Sequence, residues 1–170
     1  MELKTLIRDI PDFPKKGIIF KDITPLLNRA DAFRDAVWQM ARPFKDKGVQ
    51  MVVGAESRGF IFAASMAVQE GWGFVPVRKP GKLPFATLKE NYELEYGTDS
   101  LEMHRDAIQP GHNVLMVDDL LATGGTMEAC CKMVEKQGGK IVGISFLIEL
   151  AFLKGRAKLS RYAVNSLITY

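Results

Sequence analysis

The stretch Val114-Leu-Met-Val-Asp-Asp-Leu-Leu-Ala-Thr-Gly-Gly-Thr126 decides the fold. Four apolar residues in a row read as a buried strand, and a helical pattern begins just past Thr126. Met127, Cys130, Cys131 and Val134 stand at i, i+3, i+4 and i+7, and Gly138-Gly139 ends that run. Between strand and helix lies a short loop of Gly and Thr. A helix opened by such a loop presents free backbone N–H groups and the positive end of its dipole, which suits a phosphate. Asp118 and Asp119, at the expected strand end, add acceptors for a pair of sugar hydroxyls. The segment therefore reads as a site for a ribose 5-phosphate, against the plainer reading of an ordinary strand-to-helix turn.

The pattern repeats on either side. Residues 51–54 and 74–77 are short apolar runs, with a helix over 60–70 between them that Gly71 stops. A strand over 141–148 follows the helix over 126–137. Upstream, Asp31 is expected to cap a helix bearing Phe33, Ala36, Val37, Met40, Ala41 and Phe44, with Pro43 bending or ending it. Alternating strands and helices imply a parallel sheet covered on both faces, whose ligands gather at the carboxyl ends of its strands. The expected class is α/β, a parallel sheet flanked by helices. Neither a Walker A nor a GxGxxG pattern is present, so an ordinary NTPase or dinucleotide site loses its support.

Composition narrows the class further. The chain has 170 residues, 47% apolar and 25% charged, as expected for one globular domain spanning 1–170. A formal charge of +3, scattered along the chain, gives no expectation of nucleic acid binding. Glu2, Lys4, Arg8 and Asp9 break up any apolar leader in the first ten residues, and no apolar run reaches a membrane span. Cys130 and Cys131 are adjacent, without metal-ligand spacing, and are expected to pack as small hydrophobes in a reducing, cytoplasmic setting. His104 and His112 have no evident partner and are expected at the surface.

Two more loops carry chemistry. Glu56-Ser57-Arg58 follows a strand and brings backbone N–H groups, a hydroxyl and a guanidinium together for a second anion. Ser57 as a helix cap and Arg58 as a solvated side chain is the plainer reading. Arg78, Lys79 and Lys82 follow the next strand and read as a pyrophosphate clamp, or else as a solvated basic loop. Residues 92–97 alternate polar and apolar and suggest a hairpin arm. With its flanks, residues 84–106, it reads as a mobile flap with few large apolar residues to hold it.

With these segments in place the chain resembles the type I phosphoribosyltransferases, and within them the branch that uses adenine. Ile10-Pro-Asp-Phe-Pro-x-x-Gly17-Ile-Ile-Phe20-Lys-Asp22-Ile-Thr-Pro25 is similar to the base-binding hood of that branch. Glu56-Ser-Arg-Gly-Phe60, Arg78-Lys-Pro-Gly-Lys-Leu-Pro84, Leu94-Glu-Tyr-Gly97 and Val117 to Thr126 match its later motifs in the same order. The resemblance implies the type I phosphoribosyltransferase fold with a small hood (1–28) and a flexible flap (84–106). It implies purine salvage, converting adenine and 5-phosphoribosyl 1-pyrophosphate (PRPP) to AMP and pyrophosphate. Ala122, Thr123, Gly124, Gly125 and Thr126 would cradle the 5′-phosphate, and Asp118 and Asp119 would hold the ribose hydroxyls. Glu56, Ser57, Arg58, Arg78, Lys79 and Lys82 would surround pyrophosphate. Ile19, Phe20 and Lys21 would face the base. Glu95 is similar to the proposed general acid, beside Tyr96 on the flap, with Arg58, Asp118 and Asp119 completing the catalytic set. Mg²⁺ would be bound mainly through pyrophosphate and water, with no direct protein ligand, in a homodimer. Alternatives within reach are an enzyme for another purine base and a PRPP-binding regulator. The resemblance also implies a non-proline cis peptide in the pyrophosphate loop, at Glu56-Ser57.

Overall fold

In the computed structural model, residues 2–93 and 97–170 are described. A four-residue pair, β1 (Arg8–Pro11) and β2 (Ile19–Asp22), forms an antiparallel hairpin, followed by the short helix α1 (Thr24–Leu27) and by α2 (Ala30–Ala41). Then come β3 (Met51–Ala55), α3 (Gly59–Glu70) and β4 (Gly73–Val77). A second hairpin, β5 (Thr87–Glu93) and β6 (Thr98–His104), leads to β7 (Asn113–Leu121), α4 (Gly125–Lys136), β8 (Lys140–Glu149) and β9 (Val164–Thr169).

Five of these strands make one parallel sheet in the order β4-β3-β7-β8-β9. Counted in chain order this is 2-1-3-4-5, so the chain reverses its direction of travel between β3 and β7. In open α/β sheets the loops at such a reversal splay apart and leave a crevice for ligand. Here those loops are 56–58 after β3 and 122–124 after β7.

Alternation along β7 sorts the core. Leu115 and Val117 face one layer with Ala36, Met40, Phe62 and Met66 of α2 and α3. Val114 and Met116 face the other, with Met127, Cys130, Met133 and Val134 of α4. The apolar stripe expected on α4 is buried throughout, and both cysteines are free thiols inside it.

Several expectations change. Asp31 does not cap α2: it lies in the first turn, where its carboxylate takes the Arg29 guanidinium at 2.9 Å, and Arg29 holds the cap position without a side-chain bond. Ahead of Pro43 the α-helix ends at Ala41 and continues as a 3₁₀ turn over Arg42–Lys47. Strand β7 extends to Leu121, so Asp118 and Asp119 lie within the strand and not at its end. Strand β9 was not expected from the sequence. The stem of the 84–106 arm is also better held than its composition suggests. Leu101 and Met103 are fully buried, and Arg78 and Glu102 exchange backbone hydrogen bonds at 2.9 and 2.7 Å. The expected hairpin is present, while Leu94, Glu95 and Tyr96 lie outside the described residues.

One close approach fixes the helical layer on the sheet. A Cβ on Gly143 of β8 would stand 2.0 Å from the buried ring of Phe44. Gly143→Ala is therefore expected to cost about 1–3 kcal/mol as overpacking. In thermal unfolding that is a fall of roughly 2–10 °C for a domain of this size. An unchanged midpoint would show that Phe44 moves freely there.

Candidate active site

The crevice begins at the loop between β7 and α4. Gly124 holds the N-cap position with φ 86°, a conformation that side chains rarely accept, and α4 starts at Gly125. A Cβ on Gly124 would meet the Gly155 carbonyl oxygen at 2.6 Å, and one on Gly155 would meet the Ala122 carbonyl oxygen at 2.3 Å. The loop is thus pressed backbone to backbone against a second loop that sequence reading did not single out. This contact and the positive φ explain why position 124 is glycine. Residues 120–127 enclose a cavity of about 80 Å³ with Asp118 and Phe146 on its wall. The polar residues of its lining are Asp118, Thr123 and Thr126.

The two acids have different partners. Asp118 lines that cavity and accepts the Asp119 backbone N–H at 2.9 Å. Gly59, the first residue of α3, makes room for it: a Cβ there would fall 2.6 Å from Asp118 Oδ1. Asp119 is buried and meets Arg58, with Nε 2.8 Å from Oδ2. The Nε–H is not aimed at that oxygen, so the contact is a charge pair and Oδ2 lacks a hydrogen-bond donor. Burial, then the neighbouring Asp119 carboxylate, pushes Asp118 well above the ordinary carboxylate range. Burial raises Asp119 also, against the pull of Arg58.

Arg58 does not join the cations of the next loop. It points to the hood, where its guanidinium lies 4.8 Å from the centre of the Phe20 ring and Nη1 donates to the Lys21 carbonyl at 3.3 Å. Phe13 packs against Phe20 in a T-shaped pair, with ring centres 5.1 Å apart. Lys21 is buried, with Nζ 2.7 Å from Asp9 and 3.7 Å from the centre of the Tyr170 ring. Tyr170 itself is tied to the end of β8 by its N–H to the Glu149 carbonyl at 2.9 Å. Ile19 is exposed beside them. The hood is therefore anchored to the sheet through Arg58, Asp119 and Tyr170.

The cation loop is occupied by the protein's own acids. Lys82 Nζ and the Lys79 N–H both donate to the Glu56 carboxylate at 2.6 Å, and Arg78 Nε lies 3.5 Å from it. Lys79 Nζ pairs with Asp99 on the arm and donates to the Tyr92 hydroxyl at 2.9 Å. Burial works against ionisation of Glu56, but Lys82, the Lys79 N–H and Arg78 outweigh it and hold its pKa below the ordinary value. Glu56 so placed organises the loop. Ser57 is exposed and makes no side-chain cap, and the Glu56–Ser57 peptide is cis. Arg78, Lys79, Lys82 and Glu56 come together, then, while Arg58 joins Asp119 and the hood.

The raised pKa of Asp118 yields a prediction. The folded protein binds this proton more tightly than the unfolded chain. The carboxyl thus costs no stability below the unfolded pKa of about 3.9, and costs progressively more as pH rises through its raised folded value. Asp118→Asn keeps the acceptor for the Asp119 N–H and removes that cost. The variant is expected to melt at least about 2 °C above the parent at pH 7, the shift for roughly 1 kcal/mol, and level with it near pH 4. A variant no more stable at pH 7 would show that the carboxyl is not destabilised there.

Comparison with known proteins agrees with this geometry. The sequence pattern of the phosphoribosyl transferase domain matches residues 20–167. An adenine phosphoribosyltransferase of Clostridium perfringens is 58% identical over 170 residues, covering 100% of this chain and 99% of the relative. The crystal structure of adenine phosphoribosyltransferase from Thermoanaerobacter pseudethanolicus superposes with a TM-score of 0.97 at 55% identity, covering 99% of this chain and 98% of that one. The Saccharomyces cerevisiae enzyme, solved with D-2,5-dideoxy-2,5-imino-altritol 1,6-bisphosphate and adenine, gives a TM-score of 0.92 at 40% identity, covering 98% and 96%. On the fold, the site geometry and this full-length similarity, the chain belongs to the phosphoribosyltransferase family, in its adenine phosphoribosyltransferase branch.

Proposed function

We propose that this chain joins adenine to PRPP, forming AMP and releasing pyrophosphate in purine salvage. The observation that carries this reading is the shared cavity at the sheet's switch point, where an acid on β7 stands beside an N–H-rich helix start. Residues 122–126 receive the 5′-phosphate, and Asp118 and Asp119 face the ribose hydroxyls. Arg78, Lys79 and Lys82 receive pyrophosphate by exchanging Glu56 and Asp99 for the incoming anion. Ser57 and the backbone beside it lie at the edge of that site. The hood (1–28) supplies the base pocket, with Ile19 and Phe20 as apolar walls beside Lys21.

In the reaction the adenine N9 lone pair attacks C1 of the sugar. The C1–O bond breaks with its electron pair on pyrophosphate, and a proton leaves the base. Charge then sits on an oxocarbenium-like sugar and a departing polyanion, so positioning and electrostatics supply most of the rate. Ionised Asp118 and Asp119 stabilise the cationic sugar. Glu95, beside Tyr96 in the 84–106 flap, is proposed to exchange the base proton at N7.

Among the described residues no three His, Cys, Asp or Glu side chains converge on one point. The acid pair still fits a hard cation, since Asp119 Oδ2 is buried without a hydrogen-bond donor. Mg²⁺ held mainly by pyrophosphate and water, with these carboxylates nearest, would neutralise charge on the leaving group. We also place the protein in the cytoplasm as a homodimer. No helix among the described residues is long and apolar enough to cross a membrane.

Base choice tests the reading. Adenine presents a 6-amino donor beside an N1 acceptor, and the hood main chain at 18–21 offers the matching carbonyl and N–H groups. The Lys21 carbonyl already accepts from Arg58, and the Ile18 N–H and carbonyl pair with Lys15 and Phe13, so the candidates are the main-chain groups of Ile19 and Phe20. Strand β8 ends Ser145-Phe-Leu-Ile-Glu149 with no cation for a 6-oxo base. Adenine is expected to exceed hypoxanthine and guanine in kcat/KM by roughly 10⁴-fold, because the wrong base leaves buried polar groups unpaired. Steady-state assays of PRPP consumption against the three bases give this ratio. Comparable values would reject the adenine assignment and keep the PRPP chemistry.

A further inference from the structure

The cavity proposed for the 5′-phosphate has a charge imbalance. Residues 120–127, Asp118 and Phe146 line it, and its one ionisable side chain is an acid. Backbone N–H groups and two hydroxyls are left to balance a phosphate dianion beside that carboxyl.

A cation stands just outside this lining. The 3₁₀ segment Gly155–Leu159 packs on the loop through the Gly124–Gly155 and Gly155–Ala122 backbone contacts at its start. At its far end Leu159 is fully buried in the α4 layer. Between these anchors, Lys158 Nζ lies 3.8 Å from the place a Cβ would take on Gly125, the first residue of α4. Neighbouring cations on this stretch are spoken for, Arg156 by Glu149 at 2.7 Å and Arg161 by Glu135 at 2.9 Å. Among the described residues no acid pairs with Lys158, and its side chain is exposed, with the Glu93 carbonyl oxygen and the Tyr92 ring on the same side of Gly125.

We infer that Lys158 is a substrate-binding residue, the side-chain cation that receives the sugar 5′-phosphate at the start of α4. The inference rests on the reading of residues 122–126 as the phosphate cradle and deepens it. An ammonium fixed beside a helix N-terminus adds a charge-assisted bond to the N–H donors and offsets Asp118. Its flexible stem lets it close on the anion after entry.

The test uses the full chain and two probes, ribose 5-phosphate and inorganic pyrophosphate, in calorimetric titrations of the parent, Lys158→Gln and Lys158→Arg. Lys158→Gln is expected to weaken ribose 5-phosphate about tenfold or more, as loss of a charge-assisted bond does, with pyrophosphate affinity within about twofold of the parent. Lys158→Arg restores most of the affinity, and the salt dependence of ribose 5-phosphate binding becomes shallower in Lys158→Gln. Equal binding of ribose 5-phosphate by the parent and Lys158→Gln overturns this inference alone. Parallel weakening of both probes also overturns it, since the effect is then general. A parent that binds no ribose 5-phosphate overturns the cradle reading and this inference with it.

Discussion

Strand β7 passes buried through the middle of the sheet and still carries two adjacent carboxylates. The rest of the site follows from how that conflict is met. Asp119 is neutralised by Arg58 from the start of α3, 2.8 Å away. Asp118 is accommodated because Gly59 has no side chain to block it and the Asp119 N–H is free to donate to it. Both solutions need α3 to begin beside β7. The parallel pairing of β3 with β7 guarantees this, because it sets the β3–α3 turn next to the end of β7. Two buried acids whose pKa values are raised mainly by desolvation are costly to fold around, and such cost tends to collect at functional sites.

The same economy of charge runs through the neighbouring loops. Glu56 and Asp99 hold the loop cations in the geometry an anionic ligand would use. Arg58 joins Asp119 on β7 to the Phe20 ring and the Lys21 carbonyl, so the acid pair and the N-terminal hairpin share one guanidinium. Hood, acid pair and phosphate loop are in this way parts of one packed unit, with the arm stem held at its side by Leu101 and Met103.

What the sequence made legible was whatever carries a strong local signal. Strands β3, β4, β7 and β8 are short apolar runs, α3 and α4 end at glycines, and the Gly/Thr loop marks itself. Strand β9 escaped notice because Asn165 and Ser166 interrupt its apolar character, as an edge strand permits. The end of β7 was placed too early because two acids look like a loop; burial against Arg58 overrides that propensity. Asp31 failed as a cap because Arg29 competes for its carboxylate. Contacts between distant loops, such as Gly124 on Gly155 and Lys21 on Tyr170, have no local signature. No periodicity in residues 154–161 points to the phosphate loop.

We propose that one crevice, opened where the sheet reverses between β3 and β7, takes the phosphate at 122–126 and the purine at the hood. A crystal structure of the chain soaked with AMP tests it most directly. The expected result is phosphate oxygens within hydrogen-bond distance of the backbone N–H groups at 123–126, ribose hydroxyls at the Asp118–Asp119 acids and the purine against Phe20. AMP with its phosphate on the Arg78–Lys82 loop, or with its purine away from the hood, would contradict it.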